Sequence, residues 1–325
     1  MESLPLDTSH PAVRDYLALV RLQVLTPLSL LVNIATVVVC ATLISPGIAG
    51  IAHLHPTSIT PNSPAIAAYV GFIFLGQIGY CVLLVVASKA ETKAALIKGV
   101  GMSLVFSNFA MALWAIAWVM QWFLLSTVLQ GIILLLLLFS NISLLIYHPP
   151  NASRPLDTAL IHAPLRFFLI LPLSILFPLC LFVTLHLTYH PTPPGYPQRY
   201  EDWHAMAGFG VLLGTNILGL LVIIIRRDIV WCIAATWIAI SIWSASPKPA
   251  PVYITSILFT ALHPLGLILS IIYARFYGTS RRIELPRDDG HPGLYAPNQN
   301  GGSQQVPGPA EIERGPREID GENWG

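Results

Sequence analysis

Gly99 to Tyr147 reads GVGMSLVFSNFAMALWAIAWVMQWFLLSTVLQGIILLLLLFSNISLLIY, 49 consecutive residues without one Asp, Glu, Lys or Arg. As a single helix it would be about 73 Å long, more than twice the roughly 30 Å of a bilayer's hydrocarbon core. The stretch must therefore double back. The expected turn is Gln121 to Leu125, where Gln121 and Trp122 can sit at the headgroup level that amphipathic aromatic groups prefer.

The rest of the chain has the same character. Only 10% of its 325 residues are charged and 54% are hydrophobic, whereas a soluble domain carries about 25% charge. That excludes a water-soluble globule and makes lipid the solvent. Windows long enough to cross it are Val24 to Ile44, Ala65 to Ala87, Val100 to Met120, Ser126 to Tyr147, Phe167 to Tyr189, His204 to Ile225, Ile229 to Ala245 and Tyr253 to Ala274. The expected fold is all-α: a polytopic transmembrane helical bundle of about eight spans over residues 24–277. A cytosolic N-terminal segment, 1–23, precedes it. Residues 278–325 hold nine Gly, six Pro and 13 of the 33 charges, too little apolar surface to offset the entropy of ordering, so a disordered cytosolic tail is expected there.

Orientation follows from Lys and Arg, which are retained on the cytosolic side when they lie close to spans. Alternate loops and ends divide them 15 to two, the two being Arg199 and Lys248. An odd number of spans would mix these sets, so both termini are expected in the cytosol, with the protein in an endomembrane or the plasma membrane. Trp118, Trp122, Trp203 and Trp243 fall at expected interfaces on the opposite side. A net charge of +1 gives no reason to expect nucleic-acid binding. The expected partners are the bilayer, a lipophilic small molecule and other membrane proteins.

Chemistry-bearing residues are sparse. The eight windows contain no acidic or basic side chain in their interiors, which argues against ion-coupled transport and against acid catalysis inside the membrane. Their polar groups are Asn33, Gln77, Asn108, Gln130, Asn141, Asn216 and His263. Amides in hydrocarbon bond to neighbouring helices, as does a packed histidine. His263 precedes Pro264, which leaves an upstream carbonyl without its amide partner, so a kinked cavity is the alternative to packing. His263, Asn108 and Asn216 are the candidate ligand-binding groups. No cofactor is expected on this reading, and no catalytic residue.

A different reading comes from the non-cytosolic histidines. His186 and His190, four apart, would point the same way on a continuous helix, and His53 and His204 fall on the same side. Together they could hold a zinc ion that activates water for a membrane-embedded hydrolase acting on lipid. The four cysteines have no metal-type spacing, and no soluble-enzyme motif is present.

Leu25-Thr26-Pro27-Leu28-Ser29 at the first span, Phe139-Ser140-Asn141-Ile142-Ser143 through Tyr147 leaving the fourth, and Ile161-His162-Ala163-Pro164-Leu165 before the fifth add a resemblance. With the overall layout, they resemble a family of fungal multi-pass membrane proteins of uncharacterised function over about Val24 to Phe276. The resemblance implies an α-helical integral membrane protein and supplies no catalytic residue. The function expected from all of this is non-enzymatic: binding or passing a small uncharged lipophilic molecule, or organising membrane partners.

Overall fold

The computed structural model describes residues 11–149, 155–189, 202–245 and 247–277. The expected disordered tail, the proline-rich loop from His190 to Arg199 and His190 itself lie outside the described residues. Among those described there are nine helical segments and no strand. They are α1 Pro11–Thr42, α2 Ile48–Leu54, α3 Ser63–Val86, α4 Ala90–Val119, α5 Phe123–Tyr147, α6 Pro155–Thr184, α7 Asp202–Arg226, α8 Ile229–Trp243 and α9 Ala250–Tyr277.

Seven of these are long and apolar enough to cross a membrane. The eighth expected crossing, α8, has 15 residues, about 22 Å of helix. It still bridges the bundle, because Asp228 before its first turn pairs with α6 while the Ser241 carbonyl in its last turn accepts from the Asn62 amide before α3. Large side chains such as Leu135, Phe139 and Val85 are about 70% exposed. Lipid is the natural solvent for such a surface.

The turn inside the uncharged stretch falls at Gln121 and Trp122. Gln121 has φ +60°, its amide donates to the Trp118 carbonyl, and the Trp122 amide reaches back to Ala117 at 2.8 Å. This left-handed closing pair satisfies two carbonyls that a helix end would otherwise leave open. Earlier in the same span Gly101, at φ +51°, interrupts the helix, a conformation that glycine adopts without steric penalty.

The innermost helix is α6: 72% of its apolar window is buried, against 17% for α9. It packs on α3, α5 and α8. Its register is irregular because Pro164, Pro172 and Pro178 cannot donate backbone hydrogen bonds, and the turns Thr158–His162 and Pro172–Leu176 widen to π-helical geometry. Gly76 and Gly79 let α3 approach this helix, since a β-carbon at those positions would meet Pro164 and Leu160 at 2.8 Å. Gly71, Gly210 and Gly214 face open space.

Two expected boundaries are corrected. Helix α6 begins at Pro155 rather than Phe167, which brings Asp157, His162 and Arg166 into the helix. It ends at Thr184, well before Tyr189. Helix α2 occupies the loop after the first span, where no helix was expected.

Candidate functional site

Side-chain amides form a chain between three helices. Asn33 on α1 donates to the Asn108 side-chain oxygen on α4 at 2.9 Å, and Asn108 donates to the Gln77 side-chain oxygen on α3 at 2.8 Å. All three are at most 1% exposed. The chain is directional: it leaves the Asn33 Oδ1 acceptor open at one end and the Gln77 Nε2 donor open at the other.

Of the three candidate ligand-binding residues, the structure joins two. His263 is fully buried on α9, with Nε2 3.4 Å from the Asn216 carbonyl oxygen on α7 and its ring tilted against Phe259. The Asn216 side chain turns away to its own helix, donating to the Leu212 carbonyl. Asn108 belongs instead to the amide chain.

The four candidate metal residues have separate roles. His186 does not continue a helix toward His190. It stands at φ +57° beyond the end of α6, its amide donating to Val183 and the Leu187 amide to Phe182. The four-residue spacing therefore carries no helical alignment, and His190 is outside the described residues. His53 is exposed on α2, and the His204 carbonyl accepts from the Ser58 hydroxyl at 3.2 Å. Among the described residues no group of three His, Cys, Asp or Glu side chains is placed to hold a metal ion.

His53 and His204 lie at a plug. The segment from α2 to α3 folds over one end of the bundle. Trp118 donates to the Ile48 carbonyl, His55 packs edge-on to Phe123, the Pro56 carbonyl accepts from the Tyr189 amide, and Lys248 donates to the Thr60 carbonyl. Trp118, expected as a headgroup anchor, is 1% exposed and works as packing. Ser58 sits so close to α7 that a β-carbon at residue 208 would have to displace it. One loop thus ties together α4, α5, α7, α8 and the segments after α6 and before α9.

Burial lowers the pKa of Lys248 to about 7. The folded state therefore disfavours its proton, while the unfolded chain keeps it up to the ordinary value near 10.5. Stability should rise with pH between about 7 and 10.5, where the unfolded state binds more protons. Thermal melts in a neutral detergent should show this rise in the wild type and a flatter profile in Lys248→Met.

The opposite end is open. A cavity of about 380 Å³ lies where the start of α4, the end of α5 and the start of α6 meet. Its apolar wall includes Ala94, Ala95 and Ile161, and its polar groups include Glu91, His148, Asp157 and His162. Ala95 and the stretch from Thr158 to His162 lie in π-helical turns, which widen the helix and recur at functional sites. Thr92 donates to Asp157 Oδ2 at 2.8 Å, fixing that carboxylate. His162 is 5% exposed. His148 lies below the usual imidazole range, first because burial disfavours its charge and second because Lys98 repels it, with Glu91 opposing.

One turn beyond His162, Arg166 makes a 2.6 Å ion pair with Asp228, with both side chains about 5% exposed. Asp228 also caps α8 by accepting the Trp231 amide at 3.1 Å. The expectation of charge-free spans missed this pair because Arg166 read as a loop residue. The visible signal was a lone Arg inside the otherwise uncharged run from Thr158 to Gln198, between Pro164-Leu165 and Phe167-Phe168.

Comparison with known proteins adds one positive finding. No curated protein and no solved structure matches the chain significantly. A family model described as TSPO-like protein matches residues 23–273, about three quarters of the sequence, and the chain belongs to that family of multi-pass membrane proteins.

Proposed function

We propose that this protein binds a small lipophilic molecule and lets it pass between the bilayer and the open cavity. The observation that carries the reading is the cavity: a partly apolar recess with a few convergent polar groups, at the end of the bundle opposite the plug. Membership of the TSPO-like family, membrane proteins that bind lipophilic ligands, supports it. The excess of Lys and Arg near this end supports a cytosolic orientation for it and for both chain termini. His263 with the Asn216 carbonyl, and the open ends of the amide chain at Asn33 and Gln77, are further polar contacts available to a ligand inside the bundle.

The test uses the purified full chain in phosphatidylcholine nanodiscs and hexadecanol carrying a photoreactive diazirine near its hydroxyl end. Crosslinks should concentrate in peptides covering 90–100 and 147–162, and Ala94→Phe, which fills the recess, should reduce them several-fold. Labelling spread over the lipid-facing helices and unchanged by Ala94→Phe would overturn the proposal.

A further inference from the structure

Leu25-Thr26-Pro27-Leu28-Ser29 marks a point on α1 where hydrogen bonding departs from that of the other spans. Thr42, Thr127, Thr184, Thr215, Thr255 and Thr260 each donate their hydroxyl to the carbonyl four residues back on their own helix, a common way to satisfy threonine in a helix. Thr26 does not: its Oγ1 is buried and has no hydrogen-bond partner among the described residues. Pro27, which has no amide hydrogen, also leaves the Gln23 carbonyl without its helical donor.

Three more open atoms line the same seam between α1, α3 and α4. Tyr80 Oη is unpartnered, as are the two ends of the amide chain, Asn33 Oδ1 and Gln77 Nε2, and all four residues are at most 1% exposed. The register follows from the bonds across the seam. Asn33, Asn108 and Gln77 share one level, and the Gln23 side chain donates to the Leu84 carbonyl at another. Thr26 and Tyr80 lie between these levels, on the same helix faces as Asn33 and Gln77 and within about 10 Å of them along the axes. Neighbouring groups are already committed. The Ser29 hydroxyl donates to the Thr26 carbonyl, and the Lys98 and Gly99 carbonyls, beside the break in α4 at Gly101, accept from Ser143 and Ser140. Buried polar groups are ordinarily hydrogen-bonded, so four open atoms on facing helices point to a bound molecule.

We infer that this seam binds hydroxyl groups, supplied by water or by the alcohol head of a lipophile. The open set holds a donor, Gln77 Nε2, two acceptors, Asn33 Oδ1 and the Gln23 carbonyl, and two hydroxyls that can act either way. A hydroxyl donates once and accepts twice, so it serves both kinds. An ether, ester or ketone oxygen only accepts and would leave Asn33 open. Reversing all three amides exchanges the donor end and the acceptor end and still leaves one of each. A charged head would meet no opposite charge, because residues 22–42, 63–86 and 99–119 contain no Asp, Glu, Lys or Arg.

Brief X-ray radiolysis of the full chain in phosphatidylcholine nanodiscs tests this, because hydroxyl radicals formed from bound water oxidise the side chains beside it. Tyr69 is the control: it is also buried, and its hydroxyl donates to the Phe167 carbonyl. Tyr80 should be oxidised several-fold faster than Tyr69. Thr26→Val, which keeps the shape of the side chain and removes its hydroxyl, should slow Tyr80 several-fold and leave Tyr69 unchanged. Hexadecanol in the discs should slow Tyr80 oxidation by displacing the water with its own hydroxyl, and hexadecane should not. Fast oxidation of Tyr80 with and without hexadecanol would assign the site to water alone. Equal oxidation of Tyr80 and Tyr69, unchanged by Thr26→Val or by hexadecanol, would overturn the inference.

Discussion

Asp228→Ala should destabilise the protein by about 3–5 kcal/mol, the usual cost of leaving one member of a buried ion pair alone. The expectation rests on desolvation: Arg166 and Asp228 meet at 2.6 Å with side chains 6% and 4% exposed, so an orphaned guanidinium has little water to turn to. Asp228 also caps α8, a role that Asn can keep and Ala cannot. Asp228→Asn should therefore lose about 1 kcal/mol less than Asp228→Ala. Arg166→Met combined with Asp228→Asn should recover most of the deficit, because it removes the charge and keeps the cap. Equilibrium unfolding in mixed micelles reads all three variants. A cost below about 1 kcal/mol for Asp228→Ala would mean that water reaches the pair.

Asn108→Leu should cost about 2 kcal/mol by the same measurement. It removes both hydrogen bonds of the amide chain at once and strands buried groups of Asn33 and Gln77, which is more costly than removing both partners of a bond. Interhelical polar bonds in membranes average about 0.6 kcal/mol and reach about 1.7 kcal/mol, so two of them and their orphans account for the figure. Replacing Asn33, Gln77 and Asn108 together by Leu should be milder than Asn108→Leu alone. If the triple variant is the worse of the two, the amides contribute through net attraction and not through avoided orphans.

How much of this was legible follows from the range over which each signal acts. The spans and the Gln121 turn could be read because hydropathy and helix length are local: 49 uncharged residues exceed a bilayer whatever the rest of the chain does. The membrane class, and with it the family layout over most of the chain, follows from the same feature. Helix α2 escaped because seven residues, Ile48–Leu54, give no periodic signal that a loop could not give. The Arg166–Asp228 pair escaped because its members are 62 positions apart and each sits at the edge of an apolar run.

The candidate site was less legible still. Its walls come from the starts of α4 and α6 and the end of α5, three segments that only the packed bundle brings together. Composition marked Asn33, Gln77 and Asn108 as polar groups that need partners, and each found one. It could not say that they would choose each other while His263 turned to the Asn216 backbone. His186 and His190 show the converse: a helical spacing has meaning only while the helix lasts, and α6 stops at Thr184.

The account turns on one spatial claim: that the open cavity and the plug face opposite compartments, with both chain ends on the cavity side. Single cysteines at Pro149, beside the cavity, and at Leu54, on the exposed flank of the plug, can be reacted with a membrane-impermeant maleimide in sealed vesicles of uniform orientation. The predicted result is reaction of Pro149→Cys from the cytosolic compartment, together with cysteines added at either terminus, and of Leu54→Cys only from the other. Reaction of Pro149→Cys and Leu54→Cys from the same side, or of the two termini from different sides, would contradict it.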